Sequence, residues 1–147
     1  MTNLGWTPVG EVMTAPVLTV GPDDPVSVAV ELFAQYPIHH LPVVSDNKLV
    51  GMMSQQEILR LEHNFSLFKN QWSQEVNDAI YRSLLIGEVM TKQVATISPA
   101  DRLDYAFGYF QENRFHALPV VDENKKVVGI LSTYDLLTYA YGRVTTE

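Results

Sequence analysis

The sequence contains no cysteine. That removes disulfides, thiolate metal ligands and cysteine nucleophiles together. It has no apolar run near the roughly 18 residues needed to span a bilayer. Its start, Met1-Thr2-Asn3-Leu4-Gly5-Trp6, lacks the basic residues and apolar core of a secretion signal. The expectation is a cytoplasmic protein. Basic residues are scarce, 10 Lys and Arg against 17 Asp and Glu, and the formal net charge is −7. Such a field disfavours nucleic acid and anionic membranes, and a small anionic ligand needs a local positive pocket. The marks of disorder are missing too, since 46% of residues are apolar and only 18% charged. A chain of 147 residues suits one compact domain, or two small halves sharing a core.

What the chain does have is itself, twice. Val9-Gly10-Glu11-Val12-Met13-Thr14 returns as Ile86-Gly87-Glu88-Val89-Met90-Thr91. His39-His40-Leu41-Pro42-Val43-Val44 returns as His116-Ala117-Leu118-Pro119-Val120-Val121, and Leu49-Val50-Gly51-Met52-Met53-Ser54 as Val127-Val128-Gly129-Ile130-Leu131-Ser132. The offset is 77 up to Lys48 and Lys125 and 78 beyond, so one residue is inserted in a turn near Lys126. A repeat held in register over that length means two copies of one supersecondary unit. The division is residues 1–61 for the first repeat, 62–85 for a linker and 86–147 for the second.

Each copy predicts the order β-α-β-β-α. A short apolar strand (Val17–Val20; Val94–Ile97) precedes a Pro-Asp cluster. Asp24, followed by Pro25 at the first helical position, and Asp101 have the chemistry of helix N-caps. Amphipathic spacing then predicts helices, with Val26, Ala29, Val30 and Phe33 on one apolar face and Leu103, Ala106, Phe107 and Phe110 on the other. Two β-branched strands follow, Leu41–Val44 and Leu49–Met53 in the first copy, joined by the hairpin turn Ser45-Asp46-Asn47-Lys48. Asp122–Lys126 is the corresponding turn of the second copy. Closing helices begin at Gln55 and Thr133. The fold class expected is α/β (α+β), two pseudo-two-fold-related repeats packed sheet to sheet, because one unit of about 50 residues leaves too much apolar surface exposed.

The linker is too apolar to be a free tether. Gln74–Leu85 places Val76, Ala79, Ile80 and Leu84 on one helical face, and Phe65, Leu67, Phe68 and Trp72 precede it. These residues either extend the core or form a partner or homodimer surface.

The ordered set [Ile/Val]-Gly-Glu-Val-Met-Thr, a strand ending in Thr-Val or Thr-Ile, His-x-Leu-Pro-Val-Val and Val-Gly-x-x-Ser-x-x-[Asp/Glu] closely resembles the CBS domain. Two in tandem resemble a Bateman module, over about residues 9–141 without the linker. The resemblance implies two clefts between the repeats that bind adenosine-containing ligands, AMP first, then ADP or ATP, sometimes S-adenosylmethionine. It implies regulation of an unidentified partner protein, and a homodimer. With no room for an attached effector domain, the chain looks like a free-standing module.

Several residues carry that expectation. Ser132-Thr133-Tyr134-Asp135 opens a helix and resembles a capping box, and a helix N-terminus also seats phosphate. The resemblance assigns Asp135 to the ribose hydroxyls, with Ser132 and His116 beside it. Ser54-Gln55-Gln56-Glu57 carries Glu57 at the matching position, where the longer side chain suits a cap better, so this cleft is the weaker or empty one. His39 and His40 precede Leu-Pro-Val-Val. His40 stands where the family often has arginine, and Ala117 leaves the second copy without a cation there. That favours AMP over polyphosphates unless Arg114, Lys48 or Lys125 compensates. By the same resemblance Val17, Leu18 and Ile38 wall the Asp135 cleft, and Val94, Ala95 and Phe115 the Glu57 cleft. All six are equally at home as core residues.

No Gly-x-Ser-x-Gly, glycine-rich phosphate loop or helical His-x-x-x-His occurs, so neither an enzyme nor an obligatory cofactor is expected. His39 and His40 point to opposite faces of a strand and are poorly placed to share a metal ion with His116 and Asp135. The rival reading is an interaction or dimerisation module that binds no ligand.

Overall fold

In the computed structural model, which describes residues 4–65, 73–112 and 115–142, the two repeats give matching elements. The first copy forms helix α1 (Val26–Gln35), the hairpin β1 (His40–Ser45) and β2 (Lys48–Ser54), and helix α2 (Gln55–Phe65). Helices α3 (Ser73–Ser83) and α4 (Ile86–Val89) follow. The second copy forms α5 (Leu103–Gln111), the hairpin β3 (Ala117–Val121) and β4 (Val127–Ser132), and α6 (Thr133–Tyr141). The result is a mixed helix and strand fold with two small antiparallel sheets.

The compact units do not follow the repeats. One unit is Leu18–Gln93, and the other combines Met1–Val17 with Val94–Glu147. They are called here the Glu57 unit and the Asp135 unit. Each therefore holds the helix, hairpin and closing helix of one repeat with the Gly-Glu-Val-Met-Thr segment of the other.

Backbone pairing explains this exchange. In the Asp135 unit Thr14 and Ile130 exchange two hydrogen bonds, at 2.8 and 3.0 Å. In the Glu57 unit Thr91 and Met52 do the same, both at 2.9 Å. Just before each pair the chain passes over a glycine of the strand. A Cβ on Gly129 would fall against Met13, and one on Gly51 against Met90 and the Thr91 carbonyl, so the close approach requires glycine.

The exchanged segments also finish the helix starts. Val26 N–H donates to the Leu84 carbonyl and Ile86 N–H to the Asp24 carbonyl, both at 2.8 Å. Likewise Leu103 N–H donates to Thr7 at 2.9 Å and Val9 N–H to Asp101 at 2.8 Å. This corrects the expected side-chain caps. Pro25 and Arg102 hold the N-cap positions in extended conformation, with no side-chain cap. Asp24 instead closes its own turn by accepting from Gly21 N–H at 2.7 Å, and Asp101 accepts from Ser98 N–H at 2.8 Å.

The leading strands shrink to single parallel bridges, Val20 with Val43 and Ile97 with Val120. The hairpins match expectation: Ser45 pairs with Lys48 across Asp46 and Asn47, at φ 50° and 63°. Two consecutive positive φ values are what a tight two-residue hairpin requires. The longer second turn is held by Asp122, whose Oδ1 accepts from Asn124 and Lys126 N–H at 2.8 and 3.0 Å.

Each unit has its own core. Val20, Val26, Ala29, Leu41, Val43, Met53, Ile58, Tyr81 and Ile86 fill the Glu57 unit. Val9, Ile97, Leu103, Ala106, Phe110, Leu118, Val120 and Leu131 fill the Asp135 unit. Phe107, expected on the apolar face of its helix, is exposed. In α3 the expectation is corrected again, since Val76 and Ala79 are exposed and Tyr81 is the buried anchor. Tyr81 Oη donates to Glu62 Oε1 of α2 at 2.6 Å. Burial first, then the Glu62 hydrogen bond and charge, raises the Tyr81 phenol well above its ordinary value of about 10. Leu67, Phe68, Trp72 and the side chain of Phe65 lie outside the described residues, as does Arg114.

Candidate functional site

Two carboxylates occupy equivalent places, each at the start of the helix that leaves a hairpin. In the Asp135 unit, Ser132 is the N-cap of α6 and its Oγ accepts from Asp135 N–H at 3.1 Å. Asp135 Oδ2 reciprocates by accepting from Ser132 N–H at 2.9 Å. The expected capping box is therefore present, with Asp in place of the usual Glu or Gln. The other oxygen, Oδ1, accepts from Thr14 Oγ1 at 2.9 Å. The Asp135 side chain stays half-buried.

In the Glu57 unit, Glu57 Oε2 accepts from Ser54 N–H at 2.8 Å and also from the Ser54 hydroxyl. Oε1 accepts from Thr91 Oγ1 at 2.9 Å. The extra methylene brings Oε2 within reach of both Ser54 donors, so the serine hydroxyl turns to the carboxylate instead of to the helix. Glu57 is only 9% exposed, the one acidic or basic residue among the buried ones described. A carboxylate taken out of water must be met by donors, and here three O–H and N–H groups do so.

Thr14 and Thr91 escaped the sequence reading as site residues. Their signal was present: each ends the Gly-Glu-Val-Met-Thr motif, so both copies keep a hydroxyl at one position. What hid their role was the exchange of segments.

The histidines act first through the backbone. The His39 carbonyl accepts from Gln55 N–H at 3.1 Å, and the His116 carbonyl from Thr133 N–H at 3.2 Å, so each ties a hairpin to the start of its closing helix. His39 is exposed, its Nδ1 sharing a hydrogen bond with Gln55 Oε1 at 3.1 Å; His40 is half-buried and His116 exposed. Lys48 and Lys125 do not serve the helix starts of their own units. Lys48 pairs with Ser45 at one end of its hairpin, while Ser54 pairs with His40 at the other. Six steps of strand separate Lys48 from Ser54, about 20 Å. Lys125 lies in the matching turn of the second hairpin, at its far end from Ser132.

Of the expected walls, Val17, Val94, Ala95 and Phe115 belong to the Asp135 unit, and Leu18 and Ile38 to the Glu57 unit. Ala95 and Phe115 pack against the core of the former, Ile38 against that of the latter. Leu18 is exposed. Among the described residues no group of three His, Asp or Glu could hold a metal ion, and no helix is long and apolar enough to cross a membrane.

An internally duplicated α/β module, with a hydroxyl-braced carboxylate at the head of each closing helix, is the class these observations define. The chain belongs to the CBS domain family, whose model matches residues 9–64 and 86–142. It is 30% identical over 128 residues to inosine-5'-monophosphate dehydrogenase of Methanocaldococcus jannaschii, covering 86% of this chain and 22% of that one. Thus it spans about a fifth of that enzyme's length. The crystal structure of CBSX2 in complex with AMP matches with TM-score 0.73 and 29% identity, covering 91% of this chain and 96% of that one. CBSX2 is a protein of Arabidopsis thaliana. The CBS domain pair of protein MJ0100 in complex with 5'-methylthioadenosine and S-adenosyl-L-methionine matches with TM-score 0.73 and 25% identity, covering 92% and 97%.

Proposed function

We propose that this chain is a regulatory module that binds one adenosine-containing ligand, AMP in preference to ADP or ATP, through Asp135. The observation that carries the reading is the state of that carboxylate. It is fixed at both oxygens yet half-exposed, and each oxygen has a lone pair left for a ribose hydroxyl. The AMP-bound and S-adenosylmethionine-bound relatives support the ligand class. The start of α6 adds a positive dipole end that favours a phosphate, although the Thr133 and Asp135 N–H groups there already donate to the His116 carbonyl and to Ser132 Oγ. Two features favour a ligand of low charge: Ala117 stands where a cation would help, and Lys125 lies at the far end of its hairpin. Glu57, buried and met by three donors, is a structural carboxylate, so one ligand binds per chain.

The module is non-catalytic in this reading, and acts as a cytoplasmic homodimer on a partner protein. Regulation requires that the ligand favour one of two conformations, since equal affinity for both shifts nothing. Scattering profiles that superimpose with and without ligand would argue against such a shift.

Titration calorimetry with AMP, ADP, ATP and S-adenosylmethionine tests the ligand. The expected result is a stoichiometry of one with AMP tightest, and about 100-fold weaker binding in Asp135→Ala, which removes two charge-assisted hydrogen bonds. No heat with any of the four, in a folded protein, would leave the interaction module as the function. In that case the three hydrogen bonds on Asp135 and Ser132 serve the helix start alone.

A further inference from the structure

We propose that Thr14 is a positioning residue: by holding Asp135 Oδ1 it orients the carboxylate for a vicinal diol and so sets a preference for ribose over 2'-deoxyribose. The inference rests on the reading of Asp135 given above, and deepens it.

The geometry of the two oxygens carries it. Oδ2 is held by Ser132 N–H at 2.9 Å and Oδ1 by Thr14 Oγ1 at 2.9 Å. With both ends held, the carboxylate plane cannot turn about the Cβ–Cγ bond. With Oδ2 alone it can, because that torsion is broad in aspartate. An ionised carboxylate accepts at about four sites. One on each oxygen is used, so one on each remains, side by side. That is the arrangement two adjacent hydroxyls need, and a single hydroxyl needs only half of it.

Thr14 is itself held rigidly enough to do this. Its N–H donates to Ile130 at 2.8 Å and its carbonyl accepts from Ile130 N–H at 3.0 Å, so its place is set by a two-bond antiparallel bridge to β4. The neighbouring Met13 lies over Gly129, where no side chain intervenes. The other unit supplies the contrast. Thr91 braces Glu57 in the same way, but there Oε2 already accepts from two Ser54 donors and the group is buried. The same threonine thus completes an internal staple in one unit and leaves an open pair of acceptor sites in the other.

The test compares dissociation constants for AMP and 2'-deoxy-AMP in the wild type, Thr14→Val and Thr14→Ser, by titration calorimetry. A wild-type preference for AMP of 10-fold or more is expected. Thr14→Val keeps the shape and loses the hydroxyl, so AMP weakens about 10-fold, 2'-deoxy-AMP hardly changes, and the ratio falls toward one. Thr14→Ser restores the preference. Equal weakening of both ligands in Thr14→Val would mean a merely structural role and overturn the proposal, as would an unchanged ratio. Wild-type protein that binds neither nucleotide would overturn the ligand reading itself, and with it this inference. Thermal melts of each variant confirm that the protein titrated is folded. Should Thr14→Val fail to fold, the ratio in Thr14→Ala decides between the same outcomes.

Discussion

Glu57 and Asp135 differ by one methylene and share the same partners, a serine three residues earlier and a threonine from the exchanged segment. The longer side chain collects three donors and is almost closed to solvent; the shorter one forms a reciprocal cap and remains half open. The difference teaches that reach, not charge, separates a structural carboxylate from one available to a ligand.

The comparison can be broken first by deletion. Glu57→Ala removes a buried carboxylate together with its hydrogen bonds from Ser54 and Thr91 and should cost about 2–3 kcal/mol. Asp135→Ala loses a half-exposed cap and should cost about 1 kcal/mol. Urea unfolding of both variants measures this, and equal losses would erase the distinction drawn here. Next in size are the two glycines under the crossing segments. A Cβ on Gly51 would come within 2.9 Å of the Thr91 carbonyl, which is backbone, whereas the three atoms nearest to one on Gly129 all belong to the flexible Met13 side chain. Gly51→Ala should therefore cost about 2 kcal/mol and Gly129→Ala about half that, within the usual range for overpacking. Thermal melting should show the same order.

A smaller effect depends on pH and belongs to the Glu57 unit. The Tyr81 phenol is raised above its ordinary value of about 10, so the unfolded chain loses that proton first. The stabilisation is complete below about pH 10 and declines as pH rises from there toward the folded-state value. Wild-type stability should fall above pH 10 more steeply than that of Tyr81→Phe; parallel curves would show that the phenol is not held in this way. The smallest change is a gain. Gly108 lies inside α5 with nothing within 4 Å of the place a Cβ would take, while the first repeat has Glu31 there. Gly108→Ala should stabilise by about 0.5–1 kcal/mol, read as a raised melting temperature.

Most of the fold was legible because its signals are local. The helix over Val26–Gln35, the hairpin turn at Asp46-Asn47 and the start of α6 at Thr133 all follow from periodicity, turn chemistry and a cap. What was not legible is non-local. Asp24 and Asp101 have the residue type of caps, but Val26 and Leu103 N–H at the two helix starts are taken by the distant Leu84 and Thr7 carbonyls. Tyr81 outcompetes Val76 and Ala79 for the interior because its hydroxyl finds Glu62 on another helix. The candidate site divides in the same way. The Ser132–Asp135 cap was readable within one tetrapeptide, whereas Thr14, 121 positions away along the chain, was not.

The crossing segments also bear on how such a chain could arise. A lone repeat, folded as its copies are here, would have a hairpin completed only by the Gly-Glu-Val-Met-Thr segment of a second molecule, and a helix start completed only by the residues just before that segment. Its simplest working form would be an obligate pair exchanging arms, sensitive to dilution. Joining the two copies in one gene turns that encounter into an intramolecular one at a fixed effective concentration. It also allows the two copies to differ, as they do at Glu57 and Asp135. Duplication thus supplied both the cohesion of the molecule and the asymmetry it now carries.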